Sequence, residues 1–401
     1  MRFITLLFAL LLMNRAGFAQ ALTKADYLAD LQYLKDTLPK RHINLFAKIS
    51  KQAFDQKIDD LKANLQQPDP ESFTTSLYAL MVAIGDEHTH IEPVFTKVLP
   101  LKFSTFAEGI FVTATDQANS SILLYQLKGI NGHPTDDIIK RCRTIVQNTN
   151  PSLFEVGLTS CLNNPAVLKG LGIINTIQEA KFELAAPNGK VIEQIVTSAD
   201  AKSSAELALN GPETGMLSLK KNGNYWYAYD AAKHTLYVNY NRCAEQEGKP
   251  FEAFNKELFE VISKEKPARI VLDLRYNGGG NSAILQPFID SVSASYLNRK
   301  DKFYVLIGKQ TFSSALMNAV KLKRTTQATL IGQPTSGSVN HYGEVRGFRL
   351  PHTKMIIGYS TRYWETWPGY DGPLKPDVNV TYSISNFRKG IDEALLKVNG
   401  A

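Results

Sequence analysis

Apolar residues recur at helical spacing through the first part of the chain. Leu31, Leu34 and Leu38 fall on one face of a helix with about 3.6 residues per turn, and the same pattern returns at 54–65 and at 72–84. A polar turn at 85–90 follows the last of these runs. We therefore predict an N-terminal helical subdomain over residues 20–92.

Shorter apolar runs replace this pattern between residues 93 and 205. The segments 110–113, 122–125 and 192–196 are typical of strands, and the turn at 129–134 precedes a helix that begins near Thr135. The pattern predicts a small subdomain of mixed strands and helices over 93–205.

Strand and helix patterns then alternate from residue 206 to residue 401. Strands are predicted at 236–240, 269–274, 303–307 and 328–331, and helices are predicted between them at 251–262, 281–292 and 313–323. This alternation predicts an α/β core whose sheet is largely parallel. Active sites of such folds lie at the carboxyl ends of the strands, so the loops after 274 and 307 are of most interest.

The first residues resemble a cleavable secretory signal. Arg2 precedes an apolar run at 3–13, which is too short to span a bilayer, and the stretch Ala16-Gly17-Phe18-Ala19 supplies small residues at positions −3 and −1 of a cleavage site. We predict a signal peptide over 1–19 and a secreted or periplasmic protein, with an uncleaved N-terminal anchor as the alternative. No later segment is apolar for long enough to span a membrane.

Charge, cysteine spacing and histidine spacing limit which partners, disulfides and metal sites the chain can have. The formal net charge is +7, but the basic residues are scattered, so we predict no nucleic-acid partner. Cys142 and Cys161 could form a disulfide or remain buried thiols, and the spacing of the three cysteines fits no zinc site. His88 and His90 lack further convincing ligands beyond Asp86. We therefore predict no metal and no cofactor.

A glycine-rich loop follows the buried strand predicted at 269–274. Gly278, Gly279 and Gly280 allow the main chain to approach a ligand closely, and their N–H groups could hold an anion. In an acyl-transfer enzyme this anion would be the oxyanion of a tetrahedral intermediate. A phosphate site would require a following Gly-Lys-Ser or Gly-Lys-Thr, which is absent. A plain tight turn remains the other alternative.

A second loop, at 308–315, joins the next buried strand to a helix. Ser313 falls at the start of that helix, where the N–H of Ser314 could point at a developing oxyanion. Alternatively, Ser313 or Thr311 simply caps the helix. A serine nucleophile needs a base. Seven histidines are available, namely His42, His88, His90, His133, His234, His341 and His352.

Several segments resemble the tail-specific serine peptidases, which include the C-terminal-processing peptidases, the tricorn core and interphotoreceptor retinoid-binding protein. The most specific is Asp273-Leu274-Arg275-Tyr276-Asn277-Gly278-Gly279-Gly280. Weaker matches occur in the same order along the chain at 85–89, 237–243, 311–315, 332–337 and 376–378. The resemblance implies a crotonase-like α/β core, a helical N-terminal part and a PDZ-like insert at 93–205.

The resemblance also assigns roles to individual residues. Ser313 matches the nucleophile, and Gly279 and Ser314 match the oxyanion hole. Ser338 replaces the lysine base of the C-terminal-processing branch, so the tricorn branch, which uses a histidine, is nearer; His88 matches that base. Asp371 is the predicted orienting acid, with Glu365 as the alternative.

These observations predict a serine endopeptidase that hydrolyses peptide or protein substrates. The missing lysine leaves two alternatives. The chain could be a catalytically weak or inactive peptide- or ligand-binding protein on the same fold, or it could hydrolyse esters or other acyl bonds. The oligomeric state is not predicted.

Overall fold

The computed structural model describes residues 21–65, 69–220 and 222–400; the predicted signal peptide lies outside them. Three helices come first, and each begins at a side chain that caps it: Thr23, Ser50 and Asp69. They confirm the helical pattern of the sequence: α1 (Lys24–Arg41), α2 (Lys51–Asn64) and α3 (Pro70–Ile84). No helix in the described part of the chain is long and apolar enough to cross a bilayer.

The middle region has an antiparallel sheet and three helices. Its elements are β1 (His90–Glu92), β2 (Lys97–Val98), β3 (Leu101–Phe106), β4 (Gly109–Thr115), β5 (Gln126–Ile130), β6 (His133–Pro134), α4 (Thr135–Cys142), α5 (Pro151–Cys161), α6 (Pro165–Gly170), β7 (Glu179–Ala185), β8 (Val191–Thr197) and β9 (Ala199–Asp200). The sheet has the order β3-β4-β5-β7-β8, so β3 and β8 are its edge strands; β6 pairs only with β5. All three cysteines of the chain are free thiols.

One predicted strand of this region is wrong. The segment 122–125 is not a strand, because it contains the end of a 3₁₀ turn (Ser120–Ile122), and Leu124 has a φ of +64°. Asp116 accepts hydrogen bonds from the main-chain and side-chain amides of Asn119, and this local turn sets the chain direction before β5. The apolar run is therefore a turn, although the Leu124 amide and the Tyr125 carbonyl still form hydrogen bonds with Val112 of β4.

The last region confirms the predicted α/β alternation. Its elements are β10 (Tyr225–Asp230), β11 (Thr235–Tyr240), α7 (Phe251–Glu265), β12 (Arg269–Asp273), α8 (Gln286–Ser293), β13 (Phe303–Ile307), α9 (Ser313–Thr325), β14 (Thr329–Gly332), β15 (Asn340–Arg349), β16 (Ile356–Glu365), β17 (Val378–Asn379), α10 (Ile384–Arg388) and α11 (Glu393–Asn399). The sheet order is β10-β11-β12-β13-β14-β17. Only β10 is antiparallel to its neighbour.

Two apolar layers cover the faces of this sheet. Strands β12 and β13 are buried along nearly their whole length, which explains their continuous apolar sequence. Because β12 and β13 are parallel neighbours, the loops that follow them leave the sheet side by side. The glycine-rich loop and the Ser313 loop are therefore brought together by the topology alone.

The hairpin β15–β16 connects the N-terminal helical region to the α/β region. Strand β16 pairs with β1, and together β1, β16 and β15 form a three-stranded sheet. The hairpin contributes Leu350, Met355, Ile357 and Tyr359 to the core under α1–α3. The turn between α3 and β1, which carries His88, is thereby fixed against the α/β region.

Candidate active site

Ser313 is the first residue of α9, and its loop is held by hydrogen bonds that do not involve its hydroxyl. Phe312 is the N-cap residue and makes no side-chain cap. The Thr311 hydroxyl donates to the carbonyl of Leu274 (2.8 Å) and accepts from the amide of Gly308 (3.0 Å). Thr311 thus links the two predicted loops, and neither it nor Ser313 caps the helix.

The main chain of Ser313 is in the left-handed region, with a φ of +50°. A non-glycine residue in this region costs on the order of 1–2 kcal/mol and persists only where its surroundings enforce it. The amide of Phe312 donates to the carbonyl of Asn277 (3.1 Å), which fixes the turn from the preceding side. A sharp strand-to-helix turn of this kind presents a serine hydroxyl at the end of a sheet.

The glycine bend lies in direct contact with this turn. Gly279 has a φ of +111°, and a β-carbon added to it would lie 2.9 Å from the Cβ of Ser313 and 3.1 Å from the amide nitrogen of Ser314. The Ser314 hydroxyl donates to the carbonyl of Gly280 (2.6 Å) and closes the contact. Only glycine fits at position 279, because the bend approaches the Ser313 turn so closely.

Not all amides of the bend are available to a ligand. The amide of Gly279 donates to the Asn277 side-chain oxygen (2.9 Å). The amides of Gly280 and Ser314 donate no hydrogen bond within the described residues. The Gly279 amide is therefore engaged, whereas the amides of Gly280 and Ser314 are open to a ligand.

The His88 turn is anchored by the buried carboxylate of Asp86. One Asp86 oxygen accepts from the side chains of His42 (2.9 Å), Thr89 (2.6 Å) and Ser360 (2.6 Å), and the other accepts from the amide of His88 (3.1 Å). Burial alone would raise the pKa of Asp86, but these hydrogen bonds outweigh it and lower the pKa to about 2. Asp86 is thus a fixed anion beneath His88.

The ring of His88 lies between two other rings. It stacks on Phe312, with centroids 4.6 Å apart, and on His341, with centroids 5.0 Å apart. Neither ring nitrogen of His88 makes a hydrogen bond of ordinary geometry within the described residues. Burial, followed by the electrostatic effect of the neighbouring His341, lowers the pKa of His88 to about 4. His88 is therefore neutral at pH 7, as a general base must be.

His341 and Ser338 extend this arrangement. His341 Nδ1 donates to the carbonyl of Ser338 (2.8 Å), which fixes the orientation of its ring. The amide and hydroxyl of Ser338 both donate to the Glu87 carboxylate, at 2.9 and 2.7 Å. Ser338, which stands where the resemblance expects a lysine, thus ties the histidine turn to the β15 strand.

The structure does not bring all predicted residues together. The side chains of Asp371 and Glu365 are exposed and make no hydrogen bond in the described part of the chain, and no hydrogen bond joins Ser313 to His88. The hydrogen bonds around Asp86 and the stacking of Phe312 and His341 on His88 were not predicted from the sequence. The contact of Asp86 with Ser360 and the two ring contacts of His88 join parts of the chain more than 200 residues apart, and no local sequence pattern reports them. Clusters of three or more potential metal ligands do not occur within the described ranges.

The overall architecture is similar to that of mature CPAF. The structure of mature CPAF complexed with lactacystin matches with a TM-score of 0.67 and 14% identity, over 94% of this chain and 98% of that chain. A second structure of mature CPAF matches with a TM-score of 0.65 and 13% identity, over 94% and 96% of the two chains. No protein-family model and no curated protein sequence matches. The chain therefore has, over nearly its whole length, the fold of mature CPAF.

Proposed function

We propose that the protein is a serine peptidase of the tail-specific type, with Ser313 as its nucleophile. The observation that carries the proposal is the strained turn at Ser313, which faces a glycine bend on one side and is followed by an open amide on the other. The CPAF-like fold and the match of the segment 273–280 to the tail-specific peptidases support it. We further propose that the α/β region is a crotonase-like core, that the middle region is a PDZ-like insert, and that a signal peptide directs export of the protein.

In the proposed reaction His88 removes the proton from the Ser313 hydroxyl as its oxygen attacks the peptide carbonyl. The open amides of Ser314 and Gly280 stabilise the tetrahedral oxyanion, while Gly279 provides the close approach. His88 then protonates the leaving amine, and water, activated by the same imidazole, hydrolyses the acyl-enzyme. Neither His88 nitrogen makes a hydrogen bond of ordinary geometry in the described part of the chain, and the proposal requires one of them to reach Ser313 when substrate tightens the site.

The proposed reaction also needs a residue that positions His88. The sequence predicts Asp371, yet this residue is exposed and without hydrogen bonds, whereas Asp86 already holds the His88 main chain. We assign Asp86 the positioning role in this arrangement. The Asp86 charge also raises the proton affinity of His88, which opposes the effect of burial.

A binding protein without catalysis is the second candidate. It is favoured by the missing hydrogen bond between Ser313 and His88, and by the absence, among the described residues, of a carboxylate bonded to the His88 ring. Hydrolysis of an ester would use the same groups as hydrolysis of a peptide. A panel of peptide and ester substrates separates these two reactions.

Labelling with a fluorophosphonate tests the nucleophile directly. We expect one adduct, which peptide mapping by mass spectrometry places on Ser313, and peptide turnover that Ser313→Ala abolishes. Ser203→Ala, at an exposed serine outside both loops, serves as the matched control and should keep wild-type labelling. An adduct on another residue would exclude Ser313, and background turnover in wild type and Ser313→Ala alike would favour the binding protein.

A further inference from the structure

A groove of about 510 Å³ lies between the middle region and the α/β region. One wall is formed by β3 and α5, and the opposite wall by Tyr276 and by Gly308, Lys309 and Gln310. Tyr276 directly precedes Asn277 and the glycine bend, and Gln310 is three residues before Ser313. Residues of both loops of the proposed active site therefore line the groove, and its volume is within the range of pockets that bind ligands.

The wall formed by β3 is an unpaired strand edge. β3 pairs only with β4, and the pair closes in a two-residue turn at Phe106 and Gly109. Peptide groups alternate in direction along a strand, so those of Phe106 and Ser104 face β4 and those of Thr105 and Phe103 face outward. The outward groups of Phe103 and Thr105 have no main-chain partner among the described residues. Two such residues can exchange up to four hydrogen bonds with an added antiparallel strand.

The chain itself occupies both ends of this edge. The carbonyl of Leu101 accepts from the Asn163 side chain (3.0 Å), and the amide of Ala107 donates to the carbonyl of Tyr382 (3.0 Å). The amide of Leu99, just before β3, already donates to the Asn163 carbonyl (2.9 Å). The amides at the start of the edge, where a terminal carboxylate would bind, are thus already used.

A charge network connects this edge to the Ser313 loop. The Lys309 ammonium group pairs with the Glu155 carboxylate and contacts the Thr105 hydroxyl at 3.0 Å, and Thr105 donates to Glu155 at 2.7 Å. Glu155 neutralises Lys309, so this cation offers little to a carboxylate of a ligand. The middle of this edge can therefore recognise a ligand through its main-chain amide and carbonyl groups.

We propose that the β3 edge at Phe103 and Thr105 binds an extended internal segment of a polypeptide by main-chain pairing and does not read a terminal carboxylate. The inference rests on the proposed function, because the bound segment continues past Tyr276 and Gln310 to the scissile bond at Ser313. The occupant is thus the substrate chain itself, and its recognition is largely independent of side-chain sequence.

Peptides of one sequence test the substrate class on the wild-type enzyme. We expect kcat/KM for a quenched fluorescent peptide to change less than threefold when its C-terminal carboxylate is replaced by an amide. N-methylation of a main-chain nitrogen that pairs with β3 should raise KM about tenfold, since it removes a hydrogen bond and adds a clash. A preference of tenfold or more for the free acid would overturn the inference, as would an N-methyl series without effect.

Proline substitutions test the location. Thr105→Pro removes an outward amide but leaves the β3–β4 ladder intact, as proline is tolerated on edges. Ile195→Pro makes the same change on the opposite edge strand, β8, where the hydrogen bond from Ala186 to Lys190 places Ile195 outward as well. We expect Thr105→Pro to raise KM about tenfold above that of Thr105→Val, which lacks only the hydroxyl, and Ile195→Pro to stay within twofold of wild type.

Equal KM values for Thr105→Pro and Thr105→Val would refute the pairing at this edge. Fluorophosphonate labelling of wild-type Ser313 separates this failure from failure of the proposed function. If Ser313 is labelled and peptides are cleaved without dependence on Thr105, only the groove assignment is wrong. If Ser313 is not labelled and peptides are not cleaved, both proposals fall together.

Discussion

Lowering the pH should destabilise the fold through His88, and replacing this residue with glutamine should remove that effect. Burial against Phe312 and His341 holds the pKa of His88 at about 4, whereas the unfolded chain has the ordinary value of 6.5. The folded pKa is the lower one, so the stability contributed by the neutral ring is complete above pH 6.5. It is lost as the pH falls from 6.5 towards 4.

The size of the effect follows from the two pKa values. At pH 7.5 neither state binds the proton appreciably. At pH 4.5 nearly every unfolded chain is protonated at His88, but only about a quarter of the folded molecules are. This difference in proton binding lowers the free energy of unfolding by roughly 2–3 kcal/mol, since one pKa unit corresponds to about 1.4 kcal/mol.

Urea unfolding of the wild type and of His88→Gln at pH 7.5 and 4.5 measures this contribution. Other groups titrate alike in both proteins, so the difference in unfolding free energy between them isolates His88. We expect the wild type to lose about 2–3 kcal/mol relative to His88→Gln between the two pH values. Tryptophan fluorescence is a suitable probe because Trp364 is paired with His341 in the β15–β16 hairpin. A difference that is constant within about 0.5 kcal/mol would refute the low pKa, and with it the assignment of His88 as a buried neutral base.

Two further pairs of variants test the site. Gly279→Ala places a β-carbon 2.9 Å from the Cβ of Ser313 at a φ of +111° and should slow fluorophosphonate labelling by about a hundredfold or more. The control is Gly278→Ala, whose added carbon meets nothing within 4 Å and which should change the labelling rate less than about threefold. Comparable rates for the two variants would show that the bend does not contribute. Asp86→Asn removes the charge that holds the histidine turn and should slow labelling at least about tenfold, whereas Asp371→Asn should change it less than about threefold. The reverse order would restore Asp371 as the orienting acid.

The sequence was sufficient for the fold class because its patterns are long and local. The runs at 269–274 and 303–307 are continuous apolar strands, and each is followed by a loop and a helix, so their parallel pairing follows from ordinary chain topology. The glycine-rich loop and Ser313 could be placed at neighbouring strand ends for the same reason. The segment 122–125 shows the limit of this reasoning, since an apolar run can also be buried in a turn.

The surroundings of His88 could not be predicted from the sequence in this way. The environment of His88 depends on Phe312 from the loop before α9 and on His341 from the β15–β16 hairpin, which pairs with β1. The hydrogen bond between Asn277 and Gly279 was equally invisible, because it depends on the local conformation of the bend. The Ser313 loop and the glycine bend could therefore be singled out from the sequence, but the structure was needed to show the contacts of Asp86.

The pairing of β1 with β16 has a consequence for biosynthesis. The helices α1–α3 are synthesised before the hairpin, but the apolar face that they share is completed only by residues 350–359 of the hairpin. Closing a loop of this length is slow, so the helices must wait with exposed apolar surface until the hairpin, more than 250 residues further along the chain, has been synthesised. Unfinished chains that end before the hairpin can assemble neither the helical core nor the histidine turn, and release before completion would yield inert, aggregation-prone polypeptides.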